Sequence, residues 1–377
     1  MTQTGPGTSL LDRFAALTDP RQVAKVLFPL PEILLLVLAA TLAGADDFVE
    51  VQAWGEERLT FLRRFLPYGN GIPSHDTLNG VLNALDPELF QHCFVTWVDG
   101  LRTDQPEFVA IDGKTSRRCH ARAKGRDALH LVSAWASRQR LVLGQEAVAG
   151  KSNEITAIPR LLERLELAGA LVTIDAIGCQ TKIARAILAK QADYLLAVKT
   201  NWPGLHAEIA RYFQDRPAAA FDRLETTDGD HGRIEIRRHL VTCDVAWLIG
   251  DRRHPGEPRF PGLTAVGMVE AEVERAGTTS IARRYYLSSM ALDAATFARA
   301  VRAHWGIENR LHWVLDVVFH DDLARLRTGH GPENMATVRH MAVNLVRDAH
   351  GKHSLKVRRK KAAWSHDYLE TLLRRTA

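Results

Sequence analysis

Cysteine is scarce: four occur in 377 residues, at positions 93, 119, 179 and 243, and no two lie close together. That spacing excludes a disulfide scaffold and a cysteine-based zinc cluster, and it fits a reducing compartment. Long apolar runs are missing as well. The most apolar segment, ILLLVLAATLAG from Ile33 to Gly44, falls short of the roughly 20 residues needed to cross a bilayer, and reads as a buried helix. The N-terminus has no charged-then-apolar signal pattern, and no long internal repeat is present. Nothing suggests an aromatic sugar platform, which argues against a glycosidase built on paired carboxylates.

Charge is present but unevenly placed. The formal net charge is +5, and the segment from Arg347 onward has nine Lys/Arg against three Asp/Glu, so the rest of the chain is near neutral. A basic end points to a polyanion such as nucleic acid, or to a solubilising tail.

The first hundred residues have helical spacing. Gly44 and Asp46 are placed to end the Ile33 helix, Ser74 to cap HDTLNGVLNAL, and Asp86 to cap a helix opening at Pro87. At Glu107 the pattern changes. FVAID, LHLVSAWAS, LVLGQEAV, ALVTIDA and DYLLAVK read as short strands, with NEITAIPRLLERLEL and QTKIARAILAKQA as helices between the later ones. Three strands followed by helix–strand–helix–strand predict a mixed α/β sheet. A second β-rich stretch covers about 221–290, the chain is helical from Asp293, and GKHSLKVRRKKAAW reads as a loose basic tail.

Two of the strands share a grammar. FVAIDGK and LVTIDAIGCQ are apolar runs that end in an aspartate, Asp112 and Asp175. Either residue alone reads as a turn cap. As a matched pair on neighbouring strands they would repel unless a cation sat between them, and hard oxygens without a Cys/His cluster favour Mg²⁺ or Mn²⁺. A third acid is needed to hold two ions. The helix AVRAHWGIENRLHWVLDVVF offers Glu308, flanked by His304 and His312, and also Asp316. Spacing does not choose between them, and a Glu–His core pair is the structural alternative.

Five segments in order, FVAIDGKTSR, IDAIGCQTKIA, YLLAVKTNWPGL, YYLSS and HWGIENRLHWVLDVVFHDDLARLR, resemble insertion-sequence transposases of the Asp-Asp-Glu class, nearest the ISAs-type or H-repeat-associated family. The likeness runs from about Leu30 to Asp348. It implies a ribonuclease-H-like mixed sheet with a β-rich insertion and an all-helical N-terminal domain. It also implies a catalytic, metal-holding triad of Asp112, Asp175 and Glu308, with two Mg²⁺ or Mn²⁺ ions. The corresponding partition is 1–103 for binding DNA ends, 104–220 and 292–350 for the catalytic core, 221–291 for the insertion and 351–377 for the tail. The partners implied are double-stranded DNA, at element ends and target, and further copies of the chain. No membrane is expected, and a cytoplasmic, nucleoid-associated location is. A transposase-derived DNA-binding protein and a metal-dependent nuclease are the alternatives. Many transposases of the wider superfamily place Tyr and Arg one and two turns before the glutamate and Lys after it; here those places hold Val301, His304 and Leu315.

Other residues complete the expectation. Lys114 sits two residues after Asp112, suited to a phosphate beside the metal, and His304 and His312 stand near the same ions. Lys199 and Asn201 follow the fifth strand as phosphate contacts, and Trp202 either stacks on a base or packs under its loop. Lys356, Arg358, Arg359, Lys360 and Lys361 in the tail would bind phosphates without reading sequence. The residues from Trp364 to Leu373 are also spaced like a short amphipathic helix able to dock on the core or a second subunit.

Overall fold

The computed structural model describes residues 9–102, 107–120, 127–148, 153–230, 233–249, 259–275, 278–349 and 351–374. The expected boundary at 103/104 lies outside these residues. Six helices come first: α1 (Leu10–Ala15), α2 (Leu30–Ala43), α3 (Phe48–Glu57), α4 (Leu59–Leu62), α5 (His75–Ala84) and α6 (Pro87–Leu101). Their ends follow the local chemistry. Gly44 adopts φ 112° at the end of α2, a conformation that costs glycine little. The Ser74 side chain accepts from the Thr77 amide, and Asp86 accepts from the amides of Glu88 and Leu89 ahead of Pro87. Every residue of α2 except Pro31 is buried, as a helix without a polar face requires.

The strands are β1 (Phe108–Ser116), β2 (Leu129–Ala136), β3 (Leu141–Ala147), β4 (Leu171–Ile174), β5 (Asp193–Val198), β6 (Asp222–Asp230), β7 (Arg233–Thr242), β8 (Ala265–Arg275) and β9 (Thr278–Ser288). They form one sheet in the order β3-β2-β1-β4-β5-β9-β8-β7-β6. β1, β2 and β3 are antiparallel neighbours, and β1, β4 and β5 are parallel. Those five strands have the ribonuclease-H-like order and directions. β6–β9 do not stand apart: β9 pairs antiparallel with β5 from Tyr285 to Ser288, so the β-rich stretch continues the same sheet. Its outer half is exposed and laced by cross-strand ion pairs such as Arg238 with Glu225, Glu270 and Glu272.

Helices cover both faces of the five-stranded part. α7 (Glu154–Arg164), α8 (Thr181–Ala189) and α9 (Pro203–Gln214) follow β3, β4 and β5, and α10 (Ala246–Ile249) follows β7. On the opposite face lies α11 (Ala294–Gly306), whose Phe297, Ala300 and Val301 pack on Phe108, Leu171 and Leu195. A π-helical turn, Ile307–His312, joins α11 to α12 (Trp313–Val317). α13 (Gly331–Asp348) runs buried between the N-terminal helices and the sheet, so both belong to one continuous apolar core.

The tail is ordered rather than loose. It forms α14 (Leu355–Trp364) and α15 (His366–Arg374), with Leu369, Leu372 and Leu373 buried against the helical core. Arg359 is only 6 % exposed. Its guanidinium donates to the carbonyls of Thr41 and Val318 and to the Asp46 carboxylate. Arg358 donates to the carbonyls of Val346, Arg347 and Ala349 at the end of α13, where a cation suits the helix dipole. These two arginines serve the fold, which corrects their expected use as free phosphate contacts. Lys356 and Lys360 are exposed, and Lys361 lies 4.6 Å over the Tyr368 ring.

Candidate active site

Ile111 of β1 is paired with Ile174 of β4. The next residue on each parallel strand is therefore an aspartate, so Asp112 and Asp175 stand side by side where β4 ends, while β1 itself runs on to Ser116 in pairing with β2. Each ties one oxygen to its own backbone. Asp112 Oδ1 accepts from the Gly113 amide at 2.9 Å, and Asp175 Oδ1 accepts from the amides of Ile177 and Gly178 at 3.0 and 3.4 Å. The turn-capping use expected of a lone aspartate is thus present at Asp175, whereas Asp112 stays within β1 and also hydrogen-bonds the Glu308 side chain.

Glu308 comes to the same place from the π-turn. Asp112, Glu308 and His312 offer ligand atoms that all lie within 4.8 Å of one another. His312 Nδ1 stands 3.7 Å from Asp112 Oδ2 and 3.7 Å from Glu308 Oε2. Asp175 lies outside that tight group, but its charge reaches Asp112 and His304. His304 Nδ1 pairs with the Thr173 hydroxyl at 3.0 Å. The sequence places Glu308 in the middle of an inward helical face; in the structure its side chain is 55 % exposed. The reason is the π-turn, which is wider than an α-helical turn and sets the residue at the helix edge, over the strand ends. Such turns recur at functional sites, and the sequence carries no clear signal for one. Trp305 and Trp313, three residues before and five after Glu308, are 44 % and 56 % exposed on the same helix; sequence reasoning missed both.

The electrostatics show what is lacking. Burial, the Glu308 charge and then the Asp175 charge push the Asp112 carboxyl up to about 8. Burial pushes His312 down to about 4 despite the neighbouring carboxylates, and its Nε2 is buried without a partner. Among the described residues, no Lys or Arg pairs with Asp112, Asp175 or Glu308. Three acids without a cation, all hard oxygen donors, are a donor set that fits a divalent metal.

Asp316, the rival third acid, is occupied elsewhere. It pairs with Lys114 Nζ at 2.7 Å, and the same ammonium reaches Asp321 at 2.9 Å and Asp322 at 3.3 Å. Lys114 is 11 % exposed and belongs to this buried ion network, not to a phosphate contact as the sequence suggested. Arg339 and Arg117 complete it, so this acidic group already holds its cations. Gly113 leaves room for a neighbouring pair: an added Cβ would stand 2.2 Å from Glu154 Oε1 and 2.8 Å from His130 Nε2, so any larger residue would have to displace that hydrogen-bonded pair on the other face of β1.

Asn201 and Trp202 brace the Asp175 loop. Asn201 Nδ2 donates to the Ala176 carbonyl at 2.7 Å, and Trp202 Nε1 donates to the Cys179 carbonyl at 2.6 Å. In the structure Asn201 is thus a loop brace and Trp202 packs under its loop; Lys199 is exposed. Asn201→Ala should loosen Asp175 at the cost of one hydrogen bond, about 1 kcal/mol. The expected result is activity at this site reduced roughly fivefold with nearly unchanged melting. An unchanged rate would show that the loop holds without Asn201.

Comparison with known proteins agrees with this geometry. Residues 103–345 match the Transposase DDE domain family, and residues 11–98 match the DDE_Tnp_1-associated family. "Putative transposase YncI" of Escherichia coli O157:H7 is 40 % identical over 97 % of this chain and 94 % of its own length. "H repeat-associated putative transposase YhhI" of Escherichia coli K12 is 37 % identical over 97 % of each. A cryo-EM structure of a piggyBac transposase synaptic complex with hairpin DNA aligns with 97 % of this chain and 78 % of that one, at 11 % identity and a TM-score of 0.44, a likeness too slight to compare sites. With the family domain matched across the sheet, the π-turn and most of α13, and with relatives alike over nearly their whole length, the chain belongs to the DDE transposase family.

Proposed function

We propose that this protein binds the terminal inverted repeats of its own element, cuts the DNA there and joins the freed 3′ ends to target DNA. The observation that carries this reading is that Asp112 of β1 and Glu308 of the π-turn offer ligand atoms within 4.8 Å of each other, with Asp175 following β4 on the neighbouring strand, and that no Lys or Arg pairs with them among the described residues. Asp112, Asp175 and Glu308 would hold two Mg²⁺ or Mn²⁺ ions. When bound, such ions supply the Lewis acidity that in-line displacement at phosphorus needs. The protein's own part is to orient. Each aspartate has its Oδ1 fixed by backbone hydrogen bonds, and the Glu308 side chain meets Asp112. His312, held neutral by burial, abuts Asp112 and Glu308 and adds no positive charge there. Exposed Trp305 and Trp313 offer stacking surfaces to bases at the cleft, and Lys199, Lys356 and Lys360 offer charge to the backbone.

In this reading residues 1–103 hold the DNA end, 104–220 and 292–350 carry the chemistry, and 221–291 extend the sheet toward the DNA. Joining two ends calls for at least two copies of the chain on DNA, in the cytoplasm at the nucleoid. The test incubates the protein with labelled element ends and Mg²⁺. Nicks at the ends followed by joined products are expected, with Mn²⁺ able to replace Mg²⁺ and Zn²⁺ a poor substitute. Binding without a nick under either ion would leave a DNA-binding relative of a transposase.

A further inference from the structure

Four arginines from four elements gather beside the turn that carries Glu308. Arg140 is in the β2–β3 turn, Arg310 in the π-turn, Arg347 in the last turn of α13 and Arg358 in α14. The Arg347 guanidinium lies 4.6 Å from the centre of the Trp135 ring and donates to the Arg310 carbonyl. Trp135 in turn abuts the end of α11, where a Cβ on Gly306 would stand 3.6 Å from its Nε1. The cluster is therefore tied directly to the segment that presents Glu308.

Carbonyls and the Trp135 ring meet two of these guanidiniums, but no carboxylate does. None of the four guanidiniums makes an ion pair among the described residues. The Arg140 and Arg310 residues are exposed, and the Nε atoms of Arg347 and Arg358 are buried without a hydrogen-bond partner. Burial and then the charges of Arg140, Arg310 and Arg358 push the Arg347 pKa down to about 9. Like charges held this close destabilise the free protein, and an anion placed among them relieves the repulsion. In the β-rich stretch, by contrast, Arg237, Arg238 and Arg283 each pair with a glutamate.

We propose that the exposed Arg140 and Arg310 form a phosphate subsite for the DNA backbone beside Glu308, with the charges of Arg347 and Arg358 standing behind them and not touching the phosphate. The proposal rests on the reading of the protein as a DNA transposase. Arg347 and Arg358 brace helix ends, so the test uses the two exposed residues in the full-length protein. Affinity for a labelled duplex carrying the element end, and for a random duplex of equal length, is measured across a salt series for wild type, R140Q/R310Q and R140K/R310K.

The glutamine pair should weaken both duplexes alike, because phosphate contacts carry no direct sequence information. The log–log salt slope should fall by about 0.9 for each lost contact, near 1.8 for the pair, and the lysine pair should retain the slope. The free glutamine variant should melt at the same temperature as wild type or higher, since two repelling charges are gone; a merely structural role predicts the reverse. An unchanged slope in a wild type that binds DNA, or a lower melting temperature with unchanged binding, overturns the subsite and leaves the transposase reading standing. A wild type that binds neither duplex overturns both.

Discussion

Asp112→Asn, Asp175→Asn and Glu308→Gln should each reduce strand cleavage by a factor on the order of 100 to 1000, the scale seen when one electrostatic anchor of a transition state is lost. DNA binding should stay within about twofold. Each substitution keeps the side-chain shape and removes a carboxylate that the proposed function assigns to the metal. In Asp112→Asn the side-chain amide oxygen would still accept from the Gly113 amide, as Asp112 Oδ1 does at 2.9 Å. The free proteins should therefore be no less stable than wild type. Asp112→Asn should melt slightly higher, because it removes an acid whose ionised form is disfavoured in the fold by burial, then by Glu308 and Asp175, and which must take up a proton on folding. That sign is diagnostic, since a structural aspartate would lose stability on neutralisation. The measurements are product formation on labelled element ends, duplex affinity and a melting curve for each variant. A Glu308→Gln variant that still cleaves, beside an Asp316→Asn variant that does not, would move the third role to Asp316 in spite of its ion pair with Lys114.

The matched aspartates are legible because an apolar strand that ends in a carboxylate is costly unless something balances it. The same grammar at Asp112 and Asp175 predicts neighbouring strands, and the pairing of Ile111 with Ile174 places them so. Helix ends are legible at Ser74, Asp86 and Gly44, where capping is a local property of the chain. The failures involve partners distant in sequence. Lys114 finds Asp321, and Arg359 finds Thr41 and Val318. No window of sequence shows such pairs, so a lysine beside the site and a basic tail both read as facing DNA. The π-turn is hidden for another reason. A period of 3.6 gives Glu308 an inward face, and a single widened turn cancels that inference without changing the apolar pattern around it. The β-rich stretch is recognisable as strands, but its continuity with the catalytic sheet depends on four pairs between β5 and β9, which no local signal specifies.

Asp321→Asn should be the most damaging single change to stability that keeps side-chain volume. Asp321 is 4 % exposed and accepts from Arg339 Nη1 at 2.9 Å, Lys114 Nζ at 2.9 Å and Ser116 Oγ at 2.7 Å. Burial works against its carboxylate, but the Arg339 and Lys114 charges outweigh burial and hold the pKa at about 2. Neutralising it leaves Arg339 buried without its carboxylate and Lys114 with only Asp316 and Asp322. Breaking a buried pair from one side costs about 3–5 kcal/mol, or a drop of roughly 5 °C in melting temperature for a chain of this size. The pH dependence has a definite sign. The folded pKa lies below the ordinary 3.8, so the carboxylate's contribution is complete above about pH 4 and is lost as pH falls toward 2. The gap in stability between wild type and Asp321→Asn should therefore be constant near neutrality and close below pH 4. The change should also reach the chemistry. Lys114 lies two residues beyond Asp112 on β1, and Asp321 follows the helix that begins at the π-turn, so their contact clamps the strand of one acid to the helix of another. Cleavage by the folded variant should fall about tenfold or more, because small misplacements of reacting groups are expensive. An Asp321→Asn protein that melts within a degree of wild type at pH 7 would show that Lys114 and Arg339 find other partners, and the clamp would then have to lie elsewhere in the fold.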